Sequence, residues 1–282
     1  MITCNLMGGL GNQIFQIFAT ISYAIKSQNQ FKFLNLETLG AGTTTLRYTF
    51  WKTFFSNLKP FLISELPRVD IIKEKGFTYD VLPIKKMIDK DVMIYGYFQS
   101  YKYFKDDYDI ICRIISIRKL KTNLQEKLNL QHIYNFENTI SMHFRIGDYK
   151  KIQDFHPLTT YNYYESSLNH IKSTYIDHNF DVIYFCEDVD IDDVLIIINK
   201  LIHNFPNYNF TRGDNSLADW EQMLFMSLCH HNIIANSSFS WWAAYFNSCG
   251  DKIVCYPSVW FGQSANIDTK DLCPSEWNKI EV

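Results

Sequence analysis

The sequence predicts an α/β protein made of two Rossmann-like domains, and three observations predict it. Short runs rich in β-branched and aromatic residues alternate with stretches of helical period along most of the chain. The alternation starts with a strand that turns sharply at Gly8-Gly9, and it restarts near Glu137 as a second series. The length of 282 residues suits two domains of about 100–150 residues each.

Each element follows from its own pattern. ITCNLM (2–7) is a short apolar strand closed by the two glycines, and Ile14, Phe18, Ile21 and Ile25 then recur at helical spacing. FKFLNL (31–36) is the next strand, which completes a β-turn-α-β start typical of a parallel sheet. Residues 38–80 are irregular and aromatic, with a short helix expected near RYTFWKTFF. VMIYGYF (92–98) is a strand, and helices follow at about 101–118 and 120–130. The second series opens with the strand NTISMHFR (138–145) and the helix YNYYESSLNHIKSTY (161–175). DVIYFCED (181–188), YNF (208–210), NIIAN (232–236) and KIVCYPS (252–258) read as strands. DDVLIIINKLI (192–202), SLADWEQMLFMSLCHH (216–231) and SFSWWAAYFNS (238–248) read as the helices between them, the second with Ser216 and Asp219 near its start. The expected domains are 1–134 and 135–260, with the boundary inside 131–138 and a tail, 261–282, running back onto the first domain.

Composition narrows the function classes. Hydrophobic residues make up 47% and charged residues 20%, as in an ordinary globular protein. Net charge is −3, so no basic excess supports nucleic-acid binding, and any positive site must be local. Aromatics reach 16%, enough for large cores and for pockets that take polar rings. Seven scattered cysteines with no CxxC pair read as reduced, mostly buried thiols in a reducing compartment. The start, MITCNLMGG, lacks the basic and apolar regions of a signal peptide, and no run reaches the roughly 20 apolar residues of a membrane span. The expected location is therefore cytoplasmic, in a bacterium or encoded by a virus in its host.

Three stretches carry chemistry. SMHFRIGDY (141–149) places His143 and Arg145 on one face at a strand end, with Asp148 just beyond. Two potential cations there suggest a bound anion, which an arginine can grip bidentately. The plainer reading is an Arg145–Asp148 salt bridge and a core histidine. ANSSFSWWAAYF (235–246) ends a strand and opens a helix, so free N–H groups, the helix dipole and the hydroxyls of Ser237, Ser238 and Ser240 make a phosphate site. The plainer reading is an N-cap by Ser238 with Trp241 and Trp242 as packing. Both stretches sit at carboxyl ends of strands, the edge where open α/β sheets bind ligands. MGGLGNQIFQ (7–16) gives two thirds of a dinucleotide fingerprint, with Ile14 at the third glycine position and Glu37 after the next strand. Asn12 and Gln13 there present amides to whatever the loop approaches. CEDVDIDD (186–193) spells DxD twice, a metal–diphosphate pattern elsewhere, although acids at a helix start also suit its dipole. His230-His231 is adjacent and cannot easily put both rings on one metal.

MGGLGNQIFQ, HFRIGD and NSSFSWWAAYF in this order resemble the alpha-1,2-fucosyltransferases of glycosyltransferase family 11, over almost the whole chain. That resemblance implies a GT-B fold, with two Rossmann-like domains facing across a cleft, GDP-β-L-fucose as donor, inversion at the anomeric carbon, and no metal or other cofactor. It places Arg145, of the His143–Arg145 pair, on the donor β-phosphate and Ser237, Ser238, Phe239 and Ser240 around the diphosphate. It puts Asp219 on guanine, and Gly11, Asn12, Gln13 and Asp188 among the substrate-binding residues. The family often has HxRRGD, and Ile146 replaces its second arginine. Glu187 stands where members commonly carry serine before Asp188. A base for the acceptor 2-hydroxyl would be a carboxylate or histidine, with Asp148 and Asp154 as candidates. The implied partner is an oligosaccharide acceptor, by default a terminal galactoside, with residues 38–80 helping to shape its pocket. Two rivals stand beside this reading: a nicotinamide-dependent oxidoreductase, drawn from Gly9, Gly11 and Glu37, and a non-catalytic nucleotide-sugar-binding protein.

Overall fold

The computed structural model describes residues 1–40, 46–84, 90–131 and 135–282. The chain forms two compact units, one of Met1–Leu120 with Asp268–Pro274 and one of Lys121–Ile267 with Ser275–Val282. The expected boundary at residue 134 lies outside the described residues, and the division falls earlier, at Leu120/Lys121. The tail is shared: only Asp268–Pro274 joins the first unit, where the Asp271 carboxylate takes the Lys102 ammonium at 2.5 Å and its carbonyl accepts from Ser100 Oγ at 2.6 Å.

In the first unit, β1 (Ile2–Cys4) leads through the glycine turn into α1 (Leu10–Lys26). Gly8 takes φ +75°, a left-handed backbone that glycine adopts without strain, and a Cβ there would lie 2.4 Å from the Asn12 amide nitrogen. Almost every side chain of α1 from Leu10 to Ala24 is buried, so it is a core helix rather than an amphipathic surface one. Short strands follow: β2 (Phe33–Leu34), β3 (Thr38–Leu39), β4 (Arg47–Tyr48) and β5 (Leu62–Ile63). The helix expected near RYTFWKTFF is instead β4, a turn, and a 3-10 helix at Ser56–Phe61. That stretch buries Trp51, Phe54, Phe55 and Leu58, an aromatic wedge that fixes the chain without helical regularity. β6 (Val69–Lys73), not expected from the sequence, pairs with β7 (Asp91–Tyr95), and the sheet order β1-β7-β6 is parallel throughout. α2 (Tyr108–Ile115) closes the unit.

After α3 (Ile117–Gln131) the second unit alternates with little irregularity. Its elements are β8 (Thr139–His143), α4 (Tyr161–Thr174), β9 (Asp181–Phe185), α5 (Ile191–Asn204), β10 (Asn209–Arg212), α6 (Asp219–Leu228), β11 (His231–Ile233), α7 (Ser238–Phe246), β12 (Val254–Pro257) and β13 (Asn278–Ile280). All six strands are parallel, in the order β10-β9-β8-β11-β12-β13. Counted within the unit this is 3-2-1-4-5-6, the doubly wound order, and it reverses direction between β8 and β11. Every residue of β8 is buried, as a central parallel strand covered on both faces requires. Ile140, Met142, Tyr163, Tyr164, Leu168, Val182, Val194 and Ile233 form the core on one side of it. β13 corrects the expectation for the tail, whose last residues extend this second sheet.

Candidate functional site at the carboxyl edge of the second sheet

The reversal between β8 and β11 opens a crevice at the carboxyl ends of these two neighbouring strands, where a doubly wound sheet binds its ligand. The segment after β8 carries Arg145, Gly147 and Asp148, and the loop after β11 carries Asn236 and Ser237 and leads into Ser238 at the start of α7. They meet in space: the His143 ring lies 5.6 Å from the Phe239 ring, and the Tyr149 hydroxyl donates to the Asn236 carbonyl at 3.3 Å. Asn236 pins its loop in turn, its side-chain amide donating to the carbonyls of Pro157 at 2.9 Å and Trp260 at 3.1 Å.

Arg145 is the first cation after β8 at this edge. Nη1 donates to Glu187 Oε1 at 2.8 Å, Nη2 to Asp148 Oδ1, and the guanidinium lies 4.7 Å from the centre of the Tyr149 ring. The salt bridge weighed from the sequence therefore exists, with Glu187 as a second acid. His143 is not a second cation. Burial, aided by the Arg145 charge, pushes its pKa down to about 3, so the imidazole is neutral. Its Nδ1 is enclosed with no partner, while the hydroxyl of Tyr164 donates to the His143 carbonyl at 3.0 Å and fixes the strand end.

The serine loop divides its hydroxyls. Ser237, not Ser238, is the N-cap of α7, its Oγ accepting the Phe239 N–H at 3.3 Å. Ser240 is buried, and its hydroxyl is directed back to the carbonyls of Ala235 and Ser237, both at 3.4 Å. Ser238 and Phe239 are half-buried at the first turn, where backbone N–H groups and the helix dipole favour an anion.

The acids of residues 186–193 face different partners. Asp188 accepts from the Asn215 amide at 2.9 Å and meets Arg212 at 2.5 Å, and these two, the amide first, hold its carboxyl below the ordinary range. Asp190 is buried and accepts the Gly147 N–H at 2.7 Å, and Asp193 takes Lys150 at 2.5 Å. Asp219 is exposed in the first turn of α6, whose amino end is closed by Glu221 accepting the Ala218 N–H at 3.0 Å. Asp154 is exposed, and its carbonyl accepts the Ser264 N–H at 3.2 Å. Among the described residues, the cluster whose metal-ligand atoms lie within 4.8 Å of one another is His230, Cys249 and Asp251, at the opposite, amino-terminal edge of the sheet.

In the first unit, Asn12 is half-buried and its Oδ1 accepts from Gln99 Nε2 at 2.8 Å. Gln13 is fully buried and donates to the Gly8 and Tyr48 carbonyls at 3.1 and 2.9 Å, so it braces the turn and presents no amide outward. Gly11 is buried inside α1. Glu37, the candidate ribose acid of the oxidoreductase reading, is exposed and paired with Lys52 at 2.5 Å.

Two residues escaped the sequence reading. Glu74 follows β6 and accepts the N–H groups of Tyr97 at 2.8 Å and Phe98 at 3.0 Å, holding Phe98 at φ 52°; burial raises its pKa. His156 stacks on Tyr149, the rings 4.6 Å apart and inclined by 17°. Only its place after the QDF of 153–155 marked it in the sequence.

The doubly wound sheet of the second unit and this charged edge define an α/β protein with a ligand crevice at a topological switch point. The chain belongs to glycosyl transferase family 11, whose model matches residues 49–281. It is 26% identical over 299 aligned residues to an alpha-1,2-colitosyltransferase of Escherichia coli, covering 100% of this chain and 99% of that protein. It is 30% identical over 182 residues to the O-antigen biosynthesis glycosyltransferase WbnK of the same organism, covering 63% of this chain and 58% of that one. Among solved structures it resembles an Arabidopsis thaliana FUT1 variant in complex with GDP, at 9% identity and a TM-score of 0.48, covering 90% of this chain and 69% of that one. The E. coli ADP-heptose heptosyltransferase II is similar at 14% identity and a TM-score of 0.37, covering 57% of this chain and 43% of that one. Among the described residues no helix is long and apolar enough to cross a membrane.

Proposed function

We propose that the protein is an inverting alpha-1,2-fucosyltransferase that moves L-fucose from GDP-β-L-fucose to the 2-hydroxyl of a glycan, with a terminal galactoside as the default acceptor. The observation that carries this reading is the meeting of the segment that holds Arg145 with the Asn236–Phe239 turn at the reversal point of the sheet, through His143 against Phe239 and Tyr149 on Asn236. Breaking the bond between C1 and the phosphate oxygen leaves extra negative charge on the β-phosphate. Arg145 and the N–H groups that open α7 are preorganised donors for that charge. The acceptor oxygen bonds to C1 from the opposite face, and its proton passes to a base. Asp148 is engaged with Arg145 and Asp154 is exposed. Either can take a proton, and Asp148 becomes available only when the diphosphate replaces it on the arginine. Asp188 and Asp219 are assigned to the nucleoside, Asn12 to the acceptor side. A colitosyl donor is the second reading, favoured by the name of the relative that aligns along the full chain.

Incubation with GDP-fucose or a colitosyl donor and lactose, with and without EDTA, tests both readings. GDP release with an α1,2-linked fucosyl product, unaffected by EDTA and lost in Arg145→Ala, is the expected result. Release from the colitosyl donor alone selects the second reading. Release abolished by EDTA returns the aspartates of 188–192 to a metal role. A folded sample that binds no GDP sugar overturns the proposal.

A further inference from the structure

His156 belongs to the same edge by three independent ties. Its ring stacks on Tyr149, whose ring also carries the Arg145 guanidinium at 4.7 Å. The next residue, Pro157, accepts from the Asn236 amide at 2.9 Å, which locks the chain to the serine loop. The His156 N–H donates to the Ile152 carbonyl at 2.8 Å, and the Phe155 carbonyl accepts the Gly262 N–H at 2.9 Å. So held, the ring has little freedom.

Its two nitrogens differ. Nδ1 is enclosed and has no hydrogen-bond partner, while the residue as a whole is only half-buried, so the open edge of the ring is the one that carries Nε2. Placing the proton on Nδ1 would strand a buried N–H, which costs more than leaving a lone pair unused. The favoured tautomer therefore carries its proton on Nε2, as an outward-facing donor on a ring that packs against the same Tyr149 as Arg145.

We propose that His156 is a further donor-binding residue, whose Nε2–H bonds an oxygen of the nucleoside diphosphate held by Arg145. This rests on the glycosyltransfer reading above and deepens it. Burial lowers the His156 pKa from 6.5, which favours the uncharged ring, so it adds a directed hydrogen bond where Arg145 adds charge. Binding of GDP to the full chain, followed by calorimetry, tests it with His156→Phe, which keeps a flat ring without a donor, and His156→Gln, whose amide can replace Nε2–H. We expect the Phe variant to lose about tenfold in GDP affinity and the Gln variant to stay within about threefold of the parent. If the Phe variant fails to fold, His156→Asn, whose amide is too short to reach, takes its place with the same expected loss. Unchanged GDP affinity in the Phe variant overturns the inference alone. Equal losses in the Phe and Gln variants also overturn it, since restoring a donor would then restore nothing. A parent protein that binds no GDP overturns both this inference and the reading beneath it.

Discussion

Arg145 and Glu187 join the ends of two neighbouring strands, the guanidinium donating to the carboxylate at 2.8 Å. Asp148 occupies the other side of the fork. An incoming diphosphate must displace at least one of these carboxylates to gain bidentate contact with the arginine. Glu187 is 62% exposed, so its pair with Arg145 is a solvated one, worth about 0.2–1 kcal/mol. Glu187→Gln should therefore tighten GDP binding, by up to about fivefold. Titration calorimetry at low salt reads this directly. Weaker binding in the variant would mean that Glu187 aims Arg145 rather than competes with the ligand.

Gly147 makes a second prediction. It takes φ +33°, its N–H is held by Asp190 at 2.7 Å, and a Cβ would lie 2.8 Å from Arg145 Nη1. Alanine there is strained in its backbone and pushes the guanidinium off its place. Gly147→Ala should lose about tenfold or more in turnover, as a misplaced charge-stabilising donor does. Its melting temperature should fall only modestly, since the loop is at the surface. Full turnover in a folded Gly147→Ala sample would remove Arg145 from the reacting site.

How far the sequence showed this depends on the range of the interaction. The second unit was legible element by element, because a parallel strand buried on both faces and the helix that covers it each leave a local period, as in β8 and α5. The strand order was not legible, since nothing local says that β11 lies beside β8 rather than β10. That order is what makes a crevice of the two loops. β6 and β13 were missed because one is a half-exposed edge strand without alternation and the other has only three residues. Side-chain direction was the least legible. Gln13 and Ser240 have the same chemistry turned inward as they would have turned outward, and only the packed backbone decides. His143 read as a cation because its burial comes from the Phe239 loop, distant in sequence.

The cysteines give a third test. Cys4, Cys229 and Cys255 are buried, and burial pushes each thiol up to about 12. A thiolate is the reactive form, so these three are protected twice, by access and by protonation. The other four are partly exposed. Titration with a thiol reagent at pH 8 should modify no more than those four before denaturant is added. Fast reaction of all seven in the native state would contradict the packing of β1, β12 and the carboxyl end of α6.

The last prediction concerns acid. His143 and His231 both have pKa values pushed from 6.5 down to about 3, His143 by burial and then Arg145, His231 by burial and then His230. In the unfolded chain each binds its proton near 6.5, so between that value and about 3 the unfolded state holds more protons than the folded one. Stability then rises with pH across that window. The contribution of each neutral ring is complete above the unfolded value and is lost as pH falls through the window. The slope is at most about 1.4 kcal/mol per pH unit for each histidine. His143→Asn lacks this titration, and denaturant unfolding of both proteins at pH 7, 6 and 5 compares them. The variant should be less stable at pH 7, where it has lost the contact of the ring with Phe239, and its stability should fall less steeply on acidification. Parallel curves would mean that His143 takes up its proton in the folded protein as readily as in the unfolded chain, and the edge beside Arg145 would then carry two positive charges at acid pH.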